Sequence, residues 1–259
     1  MSGLAPIPEY ERIILKSPQE IEKMRRSNRI VAEILEEMKL AAKPGVTTGE
    51  LDKLAQELLA KQKARSAFKG YNGYPAALCT SVNEEIIHGI PSERILREGD
   101  ILSLDFGVIY DDYYGDAALT LPIGRISAEA ERLLRVAEEA LYLGIDRARP
   151  ENRLLDISAA IQRHVESHGF SVVRDFVGHG IGKHLHEKPQ VPNFGDAGRG
   201  VRLKPGMTLA IEPMINAGSY EVIILGDGWT AVTKDKSLSA HFEHSVAVTE
   251  NGPYILSQI

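Results

Sequence analysis

The chain has 259 residues, 43% of them hydrophobic and 25% charged, with a net charge of −6. This is the composition of an ordinary globular protein, long enough for one large domain or two small ones. The acidic balance argues against nucleic acid as the main partner, and no apolar run reaches the ~20 residues of a membrane span.

The first ten residues carry no basic stretch followed by an apolar one, so no secretory leader is expected. Ser17-Pro18-Gln19-Glu20 opens the first helix: Ser17 caps, Pro18 suits the first helical position and Glu20 closes a capping box. Ile21, Met24, Ile30, Val31, Ile34, Leu35 and Met38 continue it at helical spacing, and Lys43-Pro44-Gly45 ends it. Thr47 and Glu50 open a second helix carrying Leu51, Leu54, Leu58 and Leu59. The basic residues Lys61, Lys63 and Arg65 read as its solvated C-terminal end. A Gly- and Tyr-rich loop over 70–75 leads into strands over 78–82 and 85–88, then two strands containing Asp105 and Asp116. The order then recurs. Helices are predicted over 127–143 and 154–168, and strands over 171–177, 208–215, 222–225, 229–233 and 243–248. Two αα-β halves without a linker predict one α+β domain. Its halves span about 17–126 and 127–250, after a short extension over 1–16.

The halves share more than their element order. Gly99 to Asp105 and Gly206 to Glu212 each place a carboxylate six residues after a turn glycine, across a short apolar strand. Asp116 and Glu243 each read as the opening residue of a later strand. His88-Gly89-Ile90 and His179-Gly180-Ile181 repeat a triplet. An acid in a buried strand is costly without a counter-charge, so four acids in two matching sets predict a metal centre. Asp105, Asp116, His179, Glu212 and Glu243 make a mainly oxygen-donor set suited to Mn, Co, Fe or Zn. Four negative charges exceed the need of one divalent ion and predict two. Two ions sharing a bridging hydroxide would hold the nucleophile of metal-assisted hydrolysis. The glycines beside His179 allow the close backbone approach of a ligand loop. His88 and His186 read as non-ligand histidines that would donate hydrogen bonds to a substrate carbonyl or amide. His164 and His168, at i,i+4 spacing, read as surface residues at a helix C-terminus. The single cysteine, Cys79, excludes an intramolecular disulfide and a cysteine-rich zinc module, and it fits a reducing compartment such as the cytoplasm.

Five segments together resemble the type I methionine aminopeptidases. They are Ser81-Val82-Asn83-Glu84 with His88-Gly89-Ile90-Pro91; the pair Asp105 and Asp116; Gly178 to Gly182; Ile211-Glu212-Pro213-Met214; and Phe242-Glu243-His244. The resemblance implies the pita-bread fold, a pseudo-two-fold antiparallel sheet with helices on its outer face. It implies removal of the N-terminal methionine from nascent polypeptides, with a preference for a small second residue. Asp116 and Glu243 would bridge two metal ions, Asp105 would bind one, and His179 and Glu212 would complete the other. Glu212 would also shuttle the proton of the attacking water. His88 would meet the scissile amide, and His186 would stabilise the tetrahedral oxygen. Tyr71, Tyr74, Cys79 and Trp229 would form the methionine pocket, where Leu185 stands in place of the phenylalanine of many bacterial members. The resemblance further implies a monovalent cation near Asn83 and Ser239, and the ribosome exit region as the place where nascent chains are met. No zinc-binding N-terminal extension is expected, and the Met1-Ser2 start predicts that the chain loses its own methionine. The rivals are a proline-directed peptidase of the same fold and a non-catalytic binding protein.

Overall fold

A computed structural model describes residues 12–259. The expectations about a leader, about Met1-Ser2 and about most of the 1–16 extension lie outside the described residues. The capping signals place the helices. Before α1 (Pro18–Ala41), Glu20 N–H donates to the Ser17 hydroxyl at 3.3 Å, and Ser17 N–H donates to the Glu20 carboxylate at 2.9 Å. Thr47 and Glu50 make the same reciprocal pair at the start of α2 (Thr48–Lys61). Such a cap is worth about 1 kcal/mol. Helices α3 (Ala128–Asp146), capped by Ser127, and α4 (Leu154–Ser167) follow in the second half of the chain.

The main sheet is antiparallel. Its strands are β1 (Arg65–Ser66), β2 (Leu78–Val82), β4 (Ile101–Tyr110), β5 (Tyr113–Pro122), β7 (Gly178–Gly180), β8 (Glu187–Val191), β9 (Thr208–Ile211), β14 (Glu243–Thr249) and β15 (Gly252–Ile255). Their order is β1-β4-β5-β14-β9-β7-β8, with β2 also on β4 and β15 also on β14. Two three-stranded sheets flank it. One joins β3 (Glu85–Ile87) to β12 (Ala231–Thr233) and β11 (Val222–Ile224). The other joins β6 (Ser171–Val172), β10 (Met214–Asn216) and β13 (Ser239–His241).

Strand side chains alternate between faces. Leu104, Phe106, Ala117 and Leu121 pack against Val31, Ile34, Leu35 and Met38 of α1. Leu209, Ile211, Val246 and Val248 pack against Leu133, Val136, Ile157 and Ile161 of α3 and α4. Each fully buried aliphatic side chain contributes about 1.5–3 kcal/mol. The helices therefore cover one face of the sheet, and the intervening residues Asp105, Asp116, Ala118 and Glu243 must point to the other.

Several expected boundaries move. Asp116 is the fourth residue of β5, not its first, because Tyr113-Tyr114-Gly115 already pair with β4. Of the expected strand over 171–177 only β6 (Ser171–Val172) forms, and β7 starts just beyond it at Gly178. That over 208–215 breaks at Glu212-Pro213, where proline offers no N–H to the ladder. Trp229 precedes β12 rather than lying in it. Strand β8 had no sequence signal, because Glu187-Lys188-Pro189-Gln190 is polar and holds a proline; yet Glu187, Pro189 and Val191 face inward in strict alternation. Arg65 pairs across β1 instead of extending the helix end. His164 and His168 sit at the C-terminal end of α4 as expected, both half-buried, with His164 Nε2 3.0 Å from Glu139.

Candidate active site

Sheet register gathers the acids. Asp105 on β4 faces Ala118 on β5, and Glu243 on β14 faces the same Ala118 from the other side. Two carboxylates thus flank one methyl group. Asp116 lies two residues along β5, on the same face. His244 faces Ile211, so Glu243 and Glu212 come side by side where β9 ends. His179 faces Ala210, two residues before Glu212. Period-two alternation alone therefore puts all five residues on the face opposite the helices.

The floor they form is buried and acidic. Ligand atoms of Asp116, His179 and Glu243 all lie within 4.8 Å of one another. His179 Nε2 is 3.4 Å from Glu212 and 3.9 Å from Asp116. Asp105 Oδ1, Asp116 Oδ1 and Glu243 Oε1 are buried with no hydrogen-bond partner. Burial pushes all four carboxyls up, Asp105 to about 7 and Glu212 to about 8; at Asp116 and Glu243 the neighbouring carboxylates add to it. Burial also pushes His179 down to about 3, so its ring is neutral. Its Nδ1 lies 3.0 Å from the Gly180 carbonyl oxygen, which accepts only from an N–H. The neutral ring therefore turns a bare Nε2 lone pair toward the acids, as a metal ligand must. Orphaned carboxylate oxygens around a lone pair are what a divalent cation would satisfy, so the residues present fit a metal. The glycines of β7 allow this approach. A Cβ on Gly178 would overlap the Ala210 carbonyl, and one on Gly180 the Lys188 carbonyl.

A cavity of ≈ 210 Å³ opens above the floor. The eleven residues read as ligands, catalytic groups or pocket wall all line it: the five above with His88, His186, Tyr71, Tyr74, Cys79 and Trp229. Tyr74 stands edge-on to Trp229 at 5.2 Å, with its hydroxyl donating to the Gly89 carbonyl at 3.0 Å. Cys79 faces Asp105 across β2 and β4, and burial raises its thiol well above the usual range. His88 sits at φ 60°, a left-handed conformation unusual for a non-glycine residue, and burial lowers its imidazole to about 4. The exposed His186 places Nδ1 2.7 Å from the Tyr71 hydroxyl, and its ring centre lies 4.4 Å from that of His179. Asn83 and Ser239 also meet: Ser239 N–H donates to the Asn83 carbonyl at 2.9 Å.

Some residues at the site had not been singled out. Phe176 stands edge-on to His88 at 5.8 Å and lines the cavity. His241 is 1% exposed, and neither ring nitrogen has a hydrogen-bond partner; its Nε2 lies 3.7 Å from Glu212. Its place two residues before Glu243 was the available signal. Phe176 carried none, since it reaches His88 through tertiary packing alone. His164 and His168 lie apart from the cavity, with His168 Nδ1 2.8 Å from the His164 carbonyl.

Comparison with known proteins gives the geometry a family context. The model of metallopeptidase family M24 matches residues 22–250. A methionine aminopeptidase of Clostridium acetobutylicum is 54% identical over 246 residues, covering 95% of this chain and 98% of its own. A crystal structure of methionine aminopeptidase from Thermotoga maritima, 48% identical, superposes with a TM-score of 0.94 over 96% of this chain and all of that one. An Xaa-Pro dipeptidase from Bacillus anthracis shares the fold at 22% identity and TM-score 0.76, but this chain covers only 62% of it.

Proposed function

The chain belongs to metallopeptidase family M24 and has its α+β pita-bread fold, and from that footing we propose that it is a methionine aminopeptidase. It removes the N-terminal methionine from polypeptides by metal-dependent hydrolysis of the first peptide bond. The observation that carries this reading is the floor of four carboxylates and His179 under an aromatic pocket.

Asp116 and Glu243 would each hold both of two divalent ions, Asp105 one of them, and His179 with Glu212 the other. The ions when bound would supply Lewis acidity and a water of lowered pKa; Co, Mn, Fe and Zn all suit the donors. The chain's own groups do the rest. Tyr71, Tyr74, Cys79 and Trp229 receive the thioether side chain, for which rings and a neutral thiol are good neighbours. The substrate's α-amine meets the acidic floor, which limits cleavage to the first residue. His88 hydrogen-bonds the scissile amide. The Tyr71 phenol, whose acidity burial weakens, keeps its proton and donates it to His186 Nδ1. The neutral His186 then carries its hydrogen on Nε2, ready to donate to the carbonyl oxygen as negative charge develops there. Glu212 takes the proton of the attacking water and passes it to the leaving amine.

We further propose one catalytic domain of two related halves, about 17–126 and 127–250. Strands β5 and β14, one from each, meet at the centre of the sheet. The copies differ in register: Gly107 faces Asp116, whereas Ile211, next to Glu212, faces His244, next to Glu243. Backbone around the Asn83–Ser239 contact would hold a monovalent cation. The substrates are nascent chains in the cytoplasm, which makes the ribosome exit region a partner.

Metal-depleted protein given Met-Ala-Ser and Ala-Pro-Ser, with each metal added back, tests the reading. Cleavage of the first alone is expected. Cleavage of the second alone would make the protein a proline-directed peptidase, and inactivity with every metal would make it a binding protein.

A further inference from the structure

A buried ion pair lies behind the cavity wall. The Lys16 ammonium meets Glu187 Oε2, and the two side chains are 3% and 1% exposed. Taking two charges out of water is expensive, and a buried pair is poor evidence of a stabilising role. What the pair holds together is more telling. On one side, Lys16 N–H donates to the Gly206 carbonyl at 2.7 Å, and the ammonium also donates to the Ile14 carbonyl at 3.2 Å. Lys16 is thereby fixed to the turn that opens β9. On the other side, Glu187 directly follows His186, and its Oε1 accepts the His184 N–H at 3.1 Å. Gly182 N–H donates to the His184 carbonyl at 3.1 Å, and the Gly182 carbonyl accepts from Tyr114 at 2.8 Å. Residues 182–187 thus form a turn gripped at Glu187 by Lys16. Gly182 makes room for the grip: a Cβ there would run into Lys16 Cε and come within 2.7 Å of Glu187 Oε1.

This turn presents Leu185 and His186 to the cavity. The Tyr71 hydroxyl fixes the His186 ring, but it does not fix the backbone that carries the ring. A displacement of about 1 Å at a catalytic group costs up to ~100-fold in rate. We propose that Lys16 is a positioning residue for His186: through Glu187 it holds the 182–187 turn so that the imidazole stays over the acidic floor. Lys16 does not line the cavity and touches no reacting group. The proposal rests on the role of His186 given above.

Steady-state hydrolysis of Met-Ala-Ser by metal-loaded Lys16→Met, Glu187→Gln, His186→Ala and the double variant Lys16→Met/His186→Ala tests it, with metal content and melting temperature followed in parallel. Lys16→Met and Glu187→Gln are each expected to lower kcat about tenfold, with KM and metal content kept. Lys16→Arg should recover most of the loss. In the His186→Ala background, Lys16→Met should cost less than about twofold more, because the residue it positions is gone. An equal loss with and without His186, or wild-type kcat in folded Lys16→Met, overturns the inference alone. Full kcat in His186→Ala overturns the role of His186 and the inference with it. Should Lys16→Met not fold, Glu187→Gln with His186→Ala completes the same cycle.

Discussion

Tyr71 does two jobs at the residue scale. Its ring lines the cavity proposed to receive the methionine side chain, and its hydroxyl lies 2.7 Å from His186 Nδ1. Tyr71→Phe keeps the ring and removes only the hydroxyl, so the two jobs separate. Loss of an orienting partner of this kind costs about 10–100-fold. We expect kcat for Met-Ala-Ser to fall about tenfold in Tyr71→Phe while KM stays within about twofold. A rise in KM at constant kcat would assign the hydroxyl to methionine binding instead. His241 shows the same logic unfinished: a fully buried imidazole with two unpartnered nitrogens sits 3.7 Å from Glu212.

At the scale of the elements, the site is a product of register. Ala118 is small, and both Asp105 and Glu243 face it. Ala118→Val would push a branched side chain between the two carboxylates. It is expected to weaken divalent-metal binding by about tenfold or more and to cost about 1–3 kcal/mol of overpacking, read by metal titration and by denaturant unfolding. Much of this was legible in advance. Helix starts followed from Ser17, Thr47 and Ser127, because a cap is a local hydrogen bond. Asp105 and Glu212 followed from glycine-to-acid spacing repeated in the two halves, because a strand converts spacing into facing. His179 followed from its glycine-flanked triplet, and Asp116 and Glu243 from their place near the starts of the next strands, although Asp116 is the fourth residue of β5. Strand β8 was not legible, because its inward residues are Glu187, Pro189 and Val191, and only Val191 looks apolar in a sequence. The Lys16–Glu187 pair was not legible either, since 171 positions separate its ends and nothing local couples them.

For the molecule as a whole, the buried carboxyl cluster predicts a stability that depends on pH and on metal. The folded state raises Asp105 to about 7 and Glu212 to about 8, with Asp116 and Glu243 also raised. An acid whose folded pKa is raised binds protons more tightly folded than unfolded. Its stabilisation is complete below the unfolded value near 4 and is lost as pH rises through the folded one. The buried histidines His88, His179 and His241 are lowered, so they oppose this trend mainly below about pH 6.5. Between about pH 6.5 and 8.5 the histidine contribution fades while the raised carboxyls titrate, so the carboxyls dominate and the metal-free protein should lose stability. We expect its melting temperature to fall by roughly 3 °C or more over that window, the shift that about 1 kcal/mol makes in a chain of this size. Saturating divalent metal should abolish the fall, since bound ions replace the protons. A metal-free melting temperature that rises across the window would mean that the carboxyls are not raised.

The most direct measurement pairs metal content with methionine release in wild type and Glu243→Ala. Wild type should bind two divalent ions per chain and release methionine from Met-Ala-Ser only when they are present. Glu243→Ala should bind fewer than two and release methionine at least about 100-fold more slowly, since on the proposed reading a metal ligand would be lost rather than a supporting contact worth 10–100-fold. A Glu243→Ala protein that binds both ions normally and keeps full activity would contradict the account of the site.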